Sequence, residues 1–350
     1  MFEKFLKLIK NKYFLSVAAL AVVTFFIFGV NYYTRMYRSN VDIKKDKLLY
    51  IPTGSEFNVV LDSIKKNNLV VDIESFVKAS NSLGYTNRVK PGCYKIRSGM
   101  SNRTLIRMLI TATQSPVKIT FNNIRTPEQL AAKIATQIEA DSLSIIRYFR
   151  SMETPNNYGF NEYTLISMFI PNTYEVYWNT DAKTFFDRMK KEYTLFWTKD
   201  RDEKAKIIGL KREEVSTLAS IVEEESNKRD ERPIIAGVYL NRLKINMPLQ
   251  ADPTIKFAIN DFGLKRVLTK HLEVKSPYNT YKNYGLPPGP ICCPSISSVD
   301  AVLNTPNHKY LYFCAKDDFS GYHVFAKTLA EHNRNALAYQ KALNRERIYR

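Results

Sequence analysis

No residue from Tyr13 to Thr34 carries a charge. The run contains FLSVAALAVVTFFIFGV and, with its Tyr and Asn flank, is long enough to cross a bilayer as one helix. A cleaved signal peptide is the competing reading, because Lys4, Lys7, Lys10 and Lys12 form a basic leader. No small-x-small cleavage site follows, and bulky Phe25, Phe26, Phe28, Tyr32 and Tyr33 stand where small residues would be needed. The sequence therefore predicts an uncleaved anchor. The lysines ahead of the span favour a cytoplasmic N-terminus, although Arg35 and Arg38 beyond it reduce the asymmetry. Everything after the span then folds outside the cytoplasm.

That placement decides how the formal charge of +18 is read. In the cytoplasm such a balance points first to nucleic acid. Outside a membrane the anionic partners are lipid headgroups or an acidic wall polymer. The basic residues are scattered, with no Arg-rich, aromatic-interleaved stripe, so a solvated basic surface explains them equally and nucleic acid is not the expected partner. Cys93, Cys292, Cys293 and Cys314 lie in a compartment that permits disulfides. Adjacent Cys292 and Cys293 cannot easily pair with each other, which leaves at most a bridge from one of them to Cys314. No His/Cys spacing resembles a zinc site, so neither metal nor cofactor is expected.

The remaining pattern predicts an α+β protein. A tail over 1–12 and a transmembrane helix over 13–34 lead into a polar linker over 35–46, with structure starting near Lys47. Residues 47–115 read as a small α+β module. It comprises a strand at LLYIP, helices over Ser55 to Asn67 and Ile73 to Ser82, a turn at Lys90-Pro91-Gly92, a strand over Cys93 to Ile96, and a helix over Arg103 to Thr111 capped by Ser101.

Residues 116–350 read as a larger mixed α+β domain. Val117 to Phe121 alternates as a strand, and Thr126-Pro127-Glu128-Gln129 supplies an N-cap, a first-turn proline and a capping-box glutamine. Helices follow over Pro127 to Glu139, Asp141 to Ser151 and Ala182 to Thr198, the last capped by Thr180. Met168 to Tyr177 interrupts them as an aromatic, extended loop of the kind that lines a cleft. Asp230 or Glu231 and Pro233 open a further helix, Met247 to Thr254 is turn-rich, and Ser276 to Ser295 has the composition of a stiff surface loop. Paired strands over Tyr310 to Ala315 and Tyr322 to Phe325 precede a closing helix over Leu329 to Arg347.

Val215 to Asn227 ends a run of small and apolar residues in three glutamates. At about 100° per residue, Val215, Leu218, Ala219 and Val222 share one buried face. Glu223 and Glu224 turn away from it, whereas Glu225 continues the spacing and sits on its flank. Partial desolvation there raises the pKa and suits the carboxyl to hold a proton near neutrality. A helix C-terminus acts in the same direction. The alternative is a charged cluster on an exposed helix end.

Six phrases follow one another over more than a hundred residues: Ala219-Ser220-Ile221-Val222-Glu223-Glu224-Glu225, Asn241-Arg242-Leu243, Leu249-Gln250-Ala251-Asp252-Pro253-Thr254, Ser276-Pro277-Tyr278-Asn279-Thr280-Tyr281, Gly285-Leu286-Pro287-Pro288-Gly289-Pro290 and His323-Val324-Phe325. In that order they resemble the endolytic murein transglycosylases of the YceG-like family. The resemblance implies a LysM-like subdomain for 47–115 and a catalytic domain for 116–350. It places the catalytic acid on Glu225, and the reaction it implies is non-hydrolytic cleavage of the β-1,4 bond between N-acetylmuramic acid and N-acetylglucosamine in nascent peptidoglycan, leaving 1,6-anhydro ends.

Gln250, Asp252, Tyr278, Asn279 and Tyr281 are candidate sugar contacts, by resemblance and because polar donors beside aromatic faces suit glycans. Loop rigidity explains the same residues. Glu223 joins the candidate substrate-site residues as a group that tunes the acid, with a surface role or an ion pair with Arg242 as the alternatives, and His323 is more readily a structural hydrogen-bonder than a catalyst. The implied partners are glycan strands, inner-membrane lipid and peptidoglycan synthases. The chain departs from the family pattern at Glu224, where a lysine is common, at Asn172, where an aspartate is common, and at the Cys292-Cys293 pair. A hydrolytic muramidase using Asp252 or Glu223 as second carboxylate, and a non-catalytic wall-binding scaffold, are the competing functions.

Overall fold

The computed structural model describes residues 12–264 and 266–346. The expectations for Lys4, Lys7 and Lys10, and for Arg347, fall outside those residues. Two compact units divide the chain: the first runs to Val117 and adds Glu175–Asn179, and the second comprises Lys118–Tyr174 and Thr180 onward.

In the first unit, α1 (Lys12–Tyr37) carries the uncharged run, and Phe25, Phe26 and Phe28 are exposed along it. Its end corrects the expected linker. Arg35 to Tyr37 remain helical, and Met36, Val41 and Ile43 are buried in the same core as Leu49, Ile64 and Phe76. Apolar side chains every few residues explain why 35–46 packs despite its polar appearance. Asn102, fully buried, fixes the junction by donating Nδ2 to the Arg35 carbonyl at 3.0 Å and accepting from Asn40 at 2.8 Å. The unit continues with β1 (Lys47–Ile51), α2 (Phe57–Lys66), α3 (Ile73–Ser82), β2 (Gly92–Ile96) and α4 (Asn102–Ile110). Strands β1 and β2 pair antiparallel with Lys47 opposite Ile96. Asp72 and Ser101 cap α3 and α4 by accepting from the amides of Ser75 and Thr104.

The second unit takes up β3 (Val117–Phe121) from Lys118 and continues to α5 (Pro127–Ala135), α6 (Ser142–Phe149) and the short α7 (Thr154–Tyr158). Thr126 caps α5 as its sequence indicates, but Gln129 reaches back to the amide of Arg125 and not to that of Thr126. The expected loop over Met168 to Tyr177 contains a strand, β4 (Asn172–Val176), which pairs with β3.

α8 (Ala182–Phe196) is capped by Asp181, whose carboxylate accepts from the Thr184 amide at 2.7 Å, in place of Thr180. Thr198 does not end that helix; it caps α9 (Lys199–Ile208), an element whose charged sequence concealed it. Next come α10 (Arg212–Glu225), α11 (Arg232–Lys244), α12 (Asp252–Ala258) and α13 (Ile296–Leu303). Strands β5 (Tyr312–Ala315) and β6 (His323–Ala326) pair antiparallel, and α14 (Leu329–Arg345) closes the chain.

α10 is the centre of this unit. Every residue from Val215 to Val222 is buried, so the helix is enclosed all round and not merely amphipathic. α11, α12 and α13 pack against it. Gly237 on α11 permits the close approach of His308, since a Cβ there would overlap the imidazole.

Two expectations are corrected here. The segment from Ser276 to Ser295 is not a surface loop: Asn279, Thr280, Ile291, Cys292 and Cys293 are all buried. Its backbone groups find partners inside, with the Ile291 amide donating to Ser220 Oγ at 3.0 Å and the Cys293 amide to the Ile124 carbonyl at 2.7 Å. No bridge joins Cys292 or Cys293 to Cys314, for all four cysteines are free thiols. Cys292 and Cys293 instead direct Sγ at the carbonyls of Ser220 and Ile166, and burial pushes the pKa of both thiols up.

Candidate active site

Glu225 is the last helical residue of α10, where the enclosed stripe meets the helix end. Part of the residue remains open to solvent. Its carboxyl is nevertheless crowded by protein, and burial lifts its pKa to about 7. A hydrogen bond from Tyr239 on α11 and the charges of Lys256 and Arg242 act against that rise, whereas Asp252 adds to it. The Tyr239 hydroxyl donates to Glu225 Oε1 at 2.6 Å, so the proton of the acid form belongs on Oε2. A carboxyl that is enclosed, reachable and half-protonated near neutrality can donate and accept a proton at the same working pH.

Removing the Tyr239 hydroxyl has a definite sign. Its bond favours the carboxylate, so Tyr239→Phe moves the Glu225 pKa above about 7. We expect the alkaline limb of the activity profile to shift to higher pH in that variant. An unchanged limb measured by pH-rate titration would separate Tyr239 from the titration of Glu225.

Asp252 opens α12, with Pro253 in the first turn. The sequence reading of this phrase as a plain turn missed that helix. Asp252 accepts from the Tyr281 hydroxyl at 2.5 Å, so these two expected residues do meet, beside Glu225. Gln250 is exposed and held at φ 50°, a left-handed conformation that costs a side chain about 1 kcal/mol or more. Its strain is imposed by the backbone: the Gln250 amide bonds the Thr280 carbonyl at 3.0 Å, and the Ala251 amide bonds Thr280 Oγ1 at 3.0 Å. Thr254 Oγ1 completes this junction 2.8 Å from Thr280 Oγ1. Buried Thr254 and Thr280 thus join two distant phrases, a role sequence reading did not give them.

Tyr278 and Asn279 serve the same loop from within. Tyr278 packs against Phe257 with ring centroids 4.6 Å apart. Asn279 donates to the carbonyls of Leu272 and Val274 at 2.8 and 2.9 Å and accepts from the Tyr281 amide at 3.0 Å. These bonds use both amide hydrogens and the oxygen of a fully buried residue, so its part is to shape the turn that presents Tyr281.

The ion pair expected between Glu223 and Arg242 does not form. Glu223 accepts from the Ser295 amide at 2.6 Å, at the N-terminal end of α13. Arg242 bonds the carbonyls of Leu249 and Leu311, each at 2.7 Å, and burial lowers its pKa. Glu224 pairs with Arg125 at 3.0 Å.

His323 is structural in its contacts. Its amide and Nδ1 meet the two oxygens of buried Glu231, at 2.8 and 3.0 Å. Arg232 next to it is also buried and bonds the Ser226 carbonyl at 3.0 Å and Ser298 Oγ at 2.8 Å. Ser226 follows Glu225 directly, so this arginine holds the end of α10. Tyr239, Glu231 and Arg232 are the residues sequence reasoning missed. The available signal was the charged pair Glu231-Arg232 just ahead of the apolar first turns of that helix. Among the described residues, no group of His, Cys, Asp and Glu could hold a metal ion.

Residues 49–338 match the model of a family described as YceG-like. A Bacillus subtilis protein named endolytic murein transglycosylase is 33% identical over 327 residues, covering 87% of this chain and 87% of that protein. A Streptococcus pneumoniae protein of the same name is 28% identical over 327 residues, covering 83% of this chain and 58% of that longer one. A crystal structure of a YceG-like protein from Listeria monocytogenes aligns with a TM-score of 0.54 at 27% identity, covering 83% of this chain and 99% of that one.

Proposed function

Because the chain belongs to the YceG-like family, we propose that it is a membrane-anchored endolytic murein transglycosylase with Glu225 as its catalytic acid. One observation carries the assignment of the residue: a carboxyl that burial lifts to a pKa of about 7 and Tyr239 holds on one oxygen, on a residue still partly open to solvent. The names of the relatives supply the reaction class.

Glu225 protonates the glycosidic oxygen between the muramyl and glucosaminyl residues, and that bond breaks. The carboxylate so formed takes the proton of the muramyl 6-hydroxyl, whose oxygen closes on the anomeric carbon as the 1,6-anhydro ring. The proton is returned, no water is consumed, and one carboxyl performs both steps. Asp252 favours the protonated form of Glu225 at rest. Gln250 and the Asp252–Tyr281 pair are the sugar contacts this reading retains; Tyr278, Asn279 and Glu223 support them through the loop and α13.

The apolar α1 anchors the chain in the cytoplasmic membrane, N-terminus inside, with the site on the outer side where synthases deliver new strands. The twenty-four residues from Phe14 to Tyr37 have the length and composition of a span.

Asp252 also favours a second reading. A carboxylate beside Glu225 can hold a water between the two groups, the arrangement of a hydrolase. The mass of the new termini separates the two: anhydro-muramyl ends are lighter than hydrolytic ends by one water. Anhydro ends are the expected product, and reducing ends would replace the transglycosylase reading with the hydrolytic one.

A further inference from the structure

A cleft of roughly 40 Å³ lies beside the acid, lined by Arg125, Glu224, Lys256, Phe257 and Phe262 among others. A site of this kind holds one water in about 10–15 Å³, so the cleft admits a small polar group. Glu224 precedes Glu225 in the chain, and Lys256 stands one helical turn after Asp252 on α12, near enough for its charge to act on Glu225. The cleft is thus lined by the residue that precedes the acid and by a cation whose charge reaches it.

Its charge is unbalanced. Arg125 uses Nη2 on Glu224 at 3.0 Å and lays its guanidinium over the Phe262 ring at 5.2 Å. Its Nε is buried with no acceptor, an arrangement that leaves a strong donor unused. The Lys256 side chain has no hydrogen bond or ion pair among the described residues. Two cations thus face one carboxylate. A glycan backbone of N-acetylated sugars carries no charge that would call for them. The acidic group nearest the muramyl residue of a peptidoglycan strand is on its peptide stem, which is joined through the lactyl ether.

We propose that Arg125 and Lys256 form a carboxylate subsite that takes the acidic peptide stem of the strand being cleaved, with Phe262 holding the guanidinium in place. Glu224 orients Arg125, and the second cation supplies the charge the ligand neutralises. This rests on peptidoglycan being the substrate.

The test uses full-length protein in detergent carrying Glu225→Gln, so that no turnover occurs. Its affinity is measured for a soluble glycan fragment with the peptide stem intact and for the same fragment stripped of stems by an amidase. The stem-bearing fragment should bind about tenfold tighter, the size of one charge-assisted hydrogen bond. Adding Arg125→Gln or Lys256→Gln should remove most of that preference while the stem-free affinity stays within about twofold. Arg125→Lys should keep part of the preference. Equal affinity for both fragments in the parent overturns the proposal. So does an equal loss for both fragments in the variants, which marks a structural effect. Cleavage by the wild-type protein is scored in parallel, and its absence on both strands counts against the reaction while the binding comparison stands.

Discussion

Glu225→Gln should lower glycan-strand cleavage on the order of 10³-fold, within the range for losing a general acid and base. The amide keeps the shape of the side chain and still accepts from Tyr239, so the loss reflects the missing proton and not a collapsed site. Stability supplies the control. The folded pKa of about 7 exceeds the ordinary 4.5, so the wild type loses stability as pH rises from about 4.5 to about 7, where the unfolded chain ionises and the folded one does not. The Gln variant has no such group. Its melting temperature should therefore lack that part of the decline, while cleavage is lost at every pH. Unchanged cleavage by purified Glu225→Gln would favour the non-catalytic scaffold.

Arg232→Ala should have the largest effect on stability, about 3 kcal/mol. The guanidinium is buried, and its removal strands the Ser226 carbonyl and takes from Ser298 Oγ one of its two partners, leaving Ser295 Oγ. It also opens a cavity between the end of α10 and the start of α13. The damage reaches function because Ser226 is the C-cap immediately after Glu225. Urea unfolding should show the full loss, and kcat should fall in the residual folded protein at a temperature well below its midpoint. A shift of less than about 1 kcal/mol would mean that solvent replaces these bonds at no cost.

What the sequence made legible was local. The caps at Ser101 and Thr126 are set by bonds spanning three residues, and those helices start within a residue of where the residue types indicate. Helical phase favours Glu225 among three neighbouring glutamates, because a carboxyl on the flank of a buried stripe is partly desolvated, and burial does raise its pKa. α10 packs on all sides, which periodicity does not reveal, because spacing marks one buried face and not the number of neighbours.

Long-range partners were not legible. Tyr239 lies fourteen residues from Glu225 and looks like any core tyrosine until its hydroxyl is placed. Thr254 and Thr280 are twenty-six residues apart, and neither announces the other. The bridge expected to Cys314 and the pair expected between Glu223 and Arg242 failed for the same reason: complementary chemistry says which groups can meet, and only packing says which do. The polar reading of Ser276 to Ser295 failed because buried side chains satisfy that loop's backbone from inside.

The central claim is that one acid cleaves the strand without water. Full-length protein should be given peptidoglycan strands in isotopically heavy water and the new muramyl ends weighed. The account predicts anhydro ends that carry no heavy oxygen, present with wild type and missing with Glu225→Gln. Reducing ends that incorporate heavy oxygen would contradict it and make Asp252 the partner of Glu225 in hydrolysis.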